Sequence, residues 1–385
     1  MFDWRRTFGP ARRDRAPEEK ASAVGAILAM HHVGRPVWTP RDYESLTRAG
    51  FGRNPVAYRC VRMLAEAAAS APLVVFEGRA RAEGHPLQAV LDRPNPEQSG
   101  RELFEQLYGQ LQTAGNAYLE AAGAGVEELY ALRPDRVRVV PGADGWPAAY
   151  DYSAGVRTRR LMRQADGFSP VLHLKLLNPT DDWYGMSPLE AAAQAVDCHS
   201  AASAWNKALL DNAARPSGAL VAGGERLTAE QFETLKSELG EQYAGAVNAG
   251  RPLLLEGGLD WKPMSLSPAD MDFIEGKHAA AREIALAFGV PPQVLGIPGD
   301  NTYATFREAN AAFWRQTITP LVQKGAAAMT AWLRPRFPEL RIEADLDAVP
   351  ALAAEREALW ARLEAASFLT PEERRRMAGV GGMSE

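Results

Sequence analysis

Apolar residues recur at helical spacing over long stretches of this chain and alternate over short ones. Asn54–Ala71 carries Val56, Cys60, Met63, Leu64 and Ala67 on one face, and Pro72 stops it. Gly100–Thr113 carries Leu103, Phe104, Leu107 and Leu111 in the same way. Around them, Leu73–Glu77, Asn116–Ala122, Val126–Leu132, Val137–Val140, Trp146–Ser153 and Val171–Leu176 read as strands parted by Gly or Pro turns. No regular strand–helix–strand alternation runs through this half. An α+β domain is predicted, and a dinucleotide fold is not.

Longer helices follow. Ser187–Asn212 has a capping serine, Pro188 at the first helical position and Glu190 at the third. At 1.5 Å per residue it spans roughly 39 Å. Its many alanines, Ala195 and Ala202 among them, let a neighbour approach closely beside Trp205. Arg215–Pro263 then reads as a small unit. Ala219–Ala222 is a strand, Thr228–Tyr243 a helix opened by a Thr228/Gln231 capping box, and Pro252–Glu256 with Asp260–Met264 a second strand pair. Ser267–Phe288 is the next helix. Gly289 suits the position just past its end, and Pro291 and Pro292 forbid continuation. A polar loop, Gly296–Thr302, turns at Pro298-Gly299-Asp300. Thr305–Arg334 is the last long helix, with Phe306, Phe313, Trp314, Leu321, Met329 and Trp332 as its apolar surface. Pro320 within it predicts a kink or break over 316–320. Leu340–Ala344 is a strand, Pro350–Ala366 a helix, and Thr370-Pro371-Glu372-Glu373 a helix start.

Several short tags recur in a fixed order along this framework. They are Asn54-Pro55-Val56-Ala57-Tyr58-Arg59-Cys60-Val61, His85-Pro86-Leu87, Leu91-Asp92-Arg93-Pro94-Asn95-Pro96, Gly115-Asn116-Ala117-Tyr118, Leu132-Arg133-Pro134-Asp135-Arg136-Val137 and Tyr184-Gly185-Met186-Ser187-Pro188-Leu189. Gly289-Val290-Pro291-Pro292, Thr317-Ile318-Thr319-Pro320-Leu321 and Leu369-Thr370-Pro371-Glu372-Glu373-Arg374 close the set. Each is weak alone; their co-linear order is the signal. From about Asn54 to Gly382 the chain resembles the portal proteins of tailed double-stranded-DNA bacteriophages, of the siphophage type, including those of prophages and gene transfer agents.

That resemblance implies a layout and a role. Residues 1–53 would be an N-terminal arm and leader, 54–186 an α+β wing, 187–212 a first stem helix and 213–264 an inserted clip. A second stem helix (265–289), a tunnel loop (290–305), a long wing helix (306–338) and a C-terminal crown region (339–385) would complete it. It implies a ring of twelve copies at a capsid vertex, a conduit for DNA packaging and ejection. The major capsid protein, the terminase large subunit and a head–tail adaptor would be its partners. Asp300, Asn301, Thr302 and Tyr303 would face DNA. Asp270, Asp272, Glu275, Lys277, Arg282 and Glu283 are channel-lining candidates, and Ala195, Ala202 and Trp205 would serve stem packing. Such a protein sits in the virion and assembles in the bacterial host cytoplasm.

Composition and charge alone read first as an ordinary acidic cytosolic protein, and they also suit a conduit that DNA slides through without sticking. The 385 residues are 46% hydrophobic and 24% charged, ordinary for a globular protein. The net charge of −5 argues against a protein that grips DNA by neutralising phosphates. Arg5, Arg6, Arg12, Arg13 and Arg15 make the leader basic, which fits a solvated tail or an arm for an acidic partner surface. The longest apolar run near the start, Ala23–Met30, is too short to span a membrane. Cys60 and Cys198 make neither a disulfide framework nor a zinc site.

Catalytic signatures are missing. Gly276-Lys277 lacks the earlier glycine of a phosphate-binding loop, and there is no nucleophile elbow. Asp197, Cys198 and His199 are adjacent on one helix, so they scatter around its axis and do not converge. Asp270, Asp272 and Glu275 form the best carboxylate cluster. Its plainer reading is an acidic helix start favoured by the dipole. The competing reading is a magnesium-dependent nuclease or hydrolase. No cofactor or metal, and no enzymatic activity, is expected.

Overall fold

The computed structural model describes residues 38–78, 80–123, 125–211, 218–222, 230, 234, 259–263, 273–299 and 302–378. Its architecture is α+β, with every described strand pair antiparallel. Leu73–Glu77 lies between Leu340–Ala344 and Ala80–Arg81 in one sheet. Asn116–Ala122 lies between Glu128–Leu132 and Val171–Lys175 in a second. Pro147–Ala154 lies between Val137–Pro141 and Arg157–Met162 in a third, which carries a bulge at Val140/Pro141.

Helices Pro55–Ser70 and Gly100–Ala114 pack on one another because each has a wide apolar face. On Gly100–Ala114 the expected residues are the buried ones: Leu103, Phe104, Leu107 and Leu111. On Pro55–Ser70 the buried face is Ala57, Cys60, Val61, Leu64, Ala65 and Ala68. Val56, Met63 and Ala67, expected inside, are only half-buried. Small residues decide that face, since alanines let the two helices close together where a larger side chain would hold them apart. Gly100–Ala114 starts on a capping box between Ser99 and Glu102 and ends on the left-handed Gly115.

One core joins these helices to the later elements. Ile284, Phe288, Val290, Phe313, Trp314, Ile318, Val322, Ala326, Met329 and Trp332 belong to the same buried cluster as Leu64 and Leu107. Phe306, expected to be apolar surface for packing, is exposed. A second cluster, Tyr118, Leu132, Val137, Val139, Tyr150, Leu161 and Val171, lies between the second and third sheets. Helices Tyr43–Ala49 and Pro86–Asp92, and strands Ala80–Arg81 and Arg157–Met162, are additional to the elements expected. Of the unit between the long helices, strands Gly218–Ala222 and Leu259–Pro263 pair antiparallel. Glu230 and Thr234 are helical. The Thr228/Gln231 box and the strand expected at 252–256 lie outside the described residues.

Candidate functional site

The long helices meet at a buried histidine. Ser187 caps the turn Pro188–Ala191, its hydroxyl accepting from the Glu190 amide at 2.9 Å. After a break at Ala192 the helix resumes as Ala193–Asp211, and it packs along helix Phe273–Ala287. His199 is buried at this junction, its Nδ1 3.2 Å from Asn54 Nδ2. Asn54 Oδ1 meanwhile accepts from the Val56 and Ala57 amides and so caps helix Pro55–Ser70. Burial, and then the nearby Lys277 ammonium, hold the His199 pKa below the ordinary histidine value. Asp197 turns elsewhere and accepts from the Thr39 amide at 2.8 Å, while Cys198 is exposed. The three adjacent residues point three ways, as their spacing requires.

The turn after Phe273–Ala287 is tightly specified. Gly289 has φ +65° and Gly296 φ +72°, and the short helix Pro292–Leu295 lies between them. Arg282 reaches back from the helix, its Nη2 donating to the Pro298 carbonyl at 2.6 Å. Helix Tyr303–Phe313 then begins on a reciprocal cap. Thr302 Oγ1 accepts from the Thr305 amide at 3.2 Å, and Thr305 Oγ1 accepts from the Thr302 amide at 2.8 Å. A second threonine replaces the Glu or Gln of the usual box, so the helix starts two residues before the expected Thr305. Thr302 is therefore the cap, and Tyr303 the first helical residue, not part of an open loop. Asp300 and Asn301 lie outside the described residues.

The expected irregularity ahead of Pro320 takes the form of a π-helical turn, Trp314–Ile318, in which the Thr319 amide donates to the Trp314 carbonyl five residues back. Proline lacks an amide hydrogen and its ring crowds the carbonyl four residues earlier; the wider turn relieves both. Helix Thr319–Leu333 follows. Thr317, within the wide turn, donates its hydroxyl to the Gly289 carbonyl at 2.7 Å.

Channel candidates on helix Phe273–Ala287 divide by exposure. Glu275, Arg282 and Glu283 are exposed and Lys277 is half-buried. Asp270 and Asp272 lie outside the described residues. Among the described residues no group of three or more His, Cys, Asp or Glu is placed to hold a metal ion. No described helix is long and apolar enough to cross a membrane. Ala195 is 6% exposed and packs inside its own protomer, whereas Ala202 and Trp205 are half-buried. The outward row of that helix is instead Gln194, Cys198, Ala201, Ala204 and Ala208. Leu286, 79% exposed, stands on the outward face of the partner helix beside Ala279 and Glu283.

Small antiparallel sheets, paired long helices, a short capped loop and a helix with a π-turn make up the described part of the chain. The sequence pattern of the phage portal protein family matches residues 55–379, and the chain belongs to that family. It is 26% identical over 304 residues to the portal protein of Enterobacteria phage HK97, covering 75% of this chain and 69% of that one. Among solved structures it is similar to a chain from the neck of an empty gene transfer agent particle computed with C6 symmetry. The identity there is 53%, the TM-score 0.72, and the coverage 94% of this chain and 100% of that one. It is likewise similar to a chain from the neck of a native gene transfer agent particle computed with C12 symmetry, at 51% identity and a TM-score of 0.69, covering 92% and 98%.

Proposed function

We propose that this chain is the subunit of a twelve-membered portal ring at one vertex of a phage-like capsid. Double-stranded DNA passes through the ring during packaging and ejection. The observation that carries this reading is the match, over 94% of the chain at 53% identity, to a chain of a gene transfer agent neck. The C12 symmetry of a second such neck supports twelve copies. Residues 54–186 act as the wing, 187–212 and 265–289 as stem helices, 213–264 as the clip, and 339–385 as the crown region. The clip docks the terminase large subunit and later the head–tail adaptor, while the capsid protein surrounds the ring. The segment around Asp300–Tyr303 faces DNA. Glu275 and Glu283, with Asp270 and Asp272, keep a lining negative enough that phosphates slide without sticking. The subunit takes no cofactor and no metal, and it does not cut DNA. It assembles in the bacterial cytoplasm and stays in the particle.

Negative-stain images of the purified full chain test the ring. Closed rings with a central hole and twelvefold averages are expected, and particles no larger than a dimer at micromolar concentration would sink the reading. Incubation with plasmid and magnesium tests the absence of nuclease activity. Cleavage that disappears in an Asp270→Ala, Asp272→Ala double variant would favour the enzyme instead.

A further inference from the structure

The long helix has two ways to accommodate Pro320, and the structure holds one of them. In the first, present here, the turn widens over Trp314–Ile318 and the Thr319 amide pairs five residues back. In the second, the backbone keeps its four-residue pairing and kinks at the proline. The two differ by one residue of register. Passing between them turns the segment upstream of the proline by about 100° and shifts it by about 1.5 Å, the helical increments for one residue.

Two hydroxyls mark the choice. Thr317 is inside the wide turn, and its hydroxyl is spent on the Gly289 carbonyl, outside its own helix. A methyl group added at Gly289 would lie 3.0 Å from Thr317 Oγ1, so the two backbones are held close at this point. Thr319, at the turn's end, is half-buried; its backbone amide is paired, but its side-chain oxygen is buried and has no hydrogen-bond partner among the described residues. Three helical threonines, Thr113, Thr234 and Thr330, donate to the carbonyl four residues back, whereas Thr47 in helix Tyr43–Ala49 shares with Thr319 a buried side-chain oxygen without a partner. The four-residue register would offer Thr319 the same partner, the Arg315 carbonyl, as it released Thr317.

We propose that the π-turn is one position of a two-position register switch in the long helix, and that the Thr317–Gly289 hydrogen bond is the latch that selects it. Opening the latch moves helix Tyr303–Phe313 together with its Thr302 cap and the loop that begins at Gly296. Gly289 ends helix Phe273–Ala287, so the latch couples that helix to the loop through a single hydroxyl.

Hydrogen exchange by mass spectrometry on the full chain reads the switch, in comparison with Thr317→Ser and Thr317→Val. Removing the donor while keeping the branched shape should raise exchange at residues 303–319 at least tenfold, with Thr317→Ser close to the unsubstituted chain. Thr330→Val, one helix further on, should leave this segment unchanged. A cryo-EM map of Thr317→Val should show pairing four residues back through 314–318 and a kink at Pro320. Unchanged exchange in Thr317→Val, or a map in which the π-turn persists, would overturn the proposal. Either outcome leaves the conduit reading untouched, since rings can form with the turn in one fixed register. If Thr317→Val does not fold, Thr319→Val serves. It removes the partner gained in the second register, so exchange at 303–319 should fall below that of the unsubstituted chain; a rise, or no change, would also count against the switch.

Discussion

Asn116 holds Gly185 by both its backbone amide and its carbonyl. Asn116 Oδ1 accepts from the Gly185 amide at 2.8 Å, and Asn116 Nδ2 donates to the Gly185 carbonyl at 3.1 Å. Nδ2 also reaches the Ala114 carbonyl at 2.8 Å. Gly115, at φ +69°, lies against the same peptide, and a Cβ there would fall 2.5 Å from the Gly185 oxygen. Tyr184 adds a hydroxyl that accepts from the Val139 amide at 2.9 Å. The clamp fixes the start of the long helices to the first residue of the second sheet's central strand.

Asn116→Ala should therefore be costly. It strands a buried amide and two carbonyls, each worth about 1–3 kcal/mol when left unpaired. A loss of roughly 3 kcal/mol is expected in urea unfolding of the unassembled chain. A loss below about 1 kcal/mol would show that the surrounding sheet, not the clamp, holds the joint.

The two tags that meet here were legible as landmarks, but their reason was not. Gly115-Asn116 and Tyr184-Gly185 look like ordinary turn residues until the chain brings them together across 69 positions. Local signals did better. Ser187, Gly289 and Thr370 were readable as helix boundaries because capping is a local matter. Strand Arg157–Met162 was missed because Arg157–Arg160 are all exposed, leaving no alternation to detect. Helix Pro86–Asp92 was missed because its cap is a histidine, His85 Nδ1 accepting from the Leu87 amide at 3.1 Å. Within the candidate site, Pro320 announced an irregularity, but whether it would be a kink or a widened turn depended on Thr317 finding Gly289.

His173 predicts a pH dependence. Its ring stacks on Tyr118 at 4.3 Å between centroids, and Nε2 lies 2.9 Å from Asn116 Oδ1. Burial above all, with some help from Lys175, lowers its pKa to about 3. Between pH 6.5 and 3 the unfolded imidazole is protonated and the folded one is not. Protons therefore favour the unfolded chain in that window, and the stability present above pH 6.5 falls as pH falls. From pH 7 to 5 the unsubstituted chain should lose about 1–2 kcal/mol more than His173→Gln. Parallel pH profiles of the two proteins would refute this assignment.

Gly276 lies in the interior of helix Phe273–Ala287, and a Cβ there would meet nothing within 4 Å. Gly276→Ala should stabilise the unassembled chain by about 0.5–1 kcal/mol through lower backbone entropy in the unfolded state. A destabilised variant in thermal melts would mean that the helix needs the glycine for a contact outside the protomer.

The last prediction separates packing inside the protomer from packing between copies. Ala195 is buried in its own chain, so Ala195→Leu should overfill that core and cost about 1–3 kcal/mol in protomer stability. Leu286 is exposed in the protomer, so Leu286→Glu should leave protomer stability within about 0.5 kcal/mol. In a ring, the outward row Cys198, Ala201, Ala204 and Ala208 offers a shallow surface that a neighbour's Leu286 can cover. Burying that leucine contributes about 1.5–3 kcal/mol per contact, and a carboxylate in its place would lose this and also be desolvated. Because a closed ring repeats every contact around its axis, a modest loss per contact should abolish the assembled species. Analytical ultracentrifugation should then find Leu286→Glu unassembled but folded, and Ala195→Leu assembled but less stable. Rings that persist in Leu286→Glu would place the subunit contact away from Leu286.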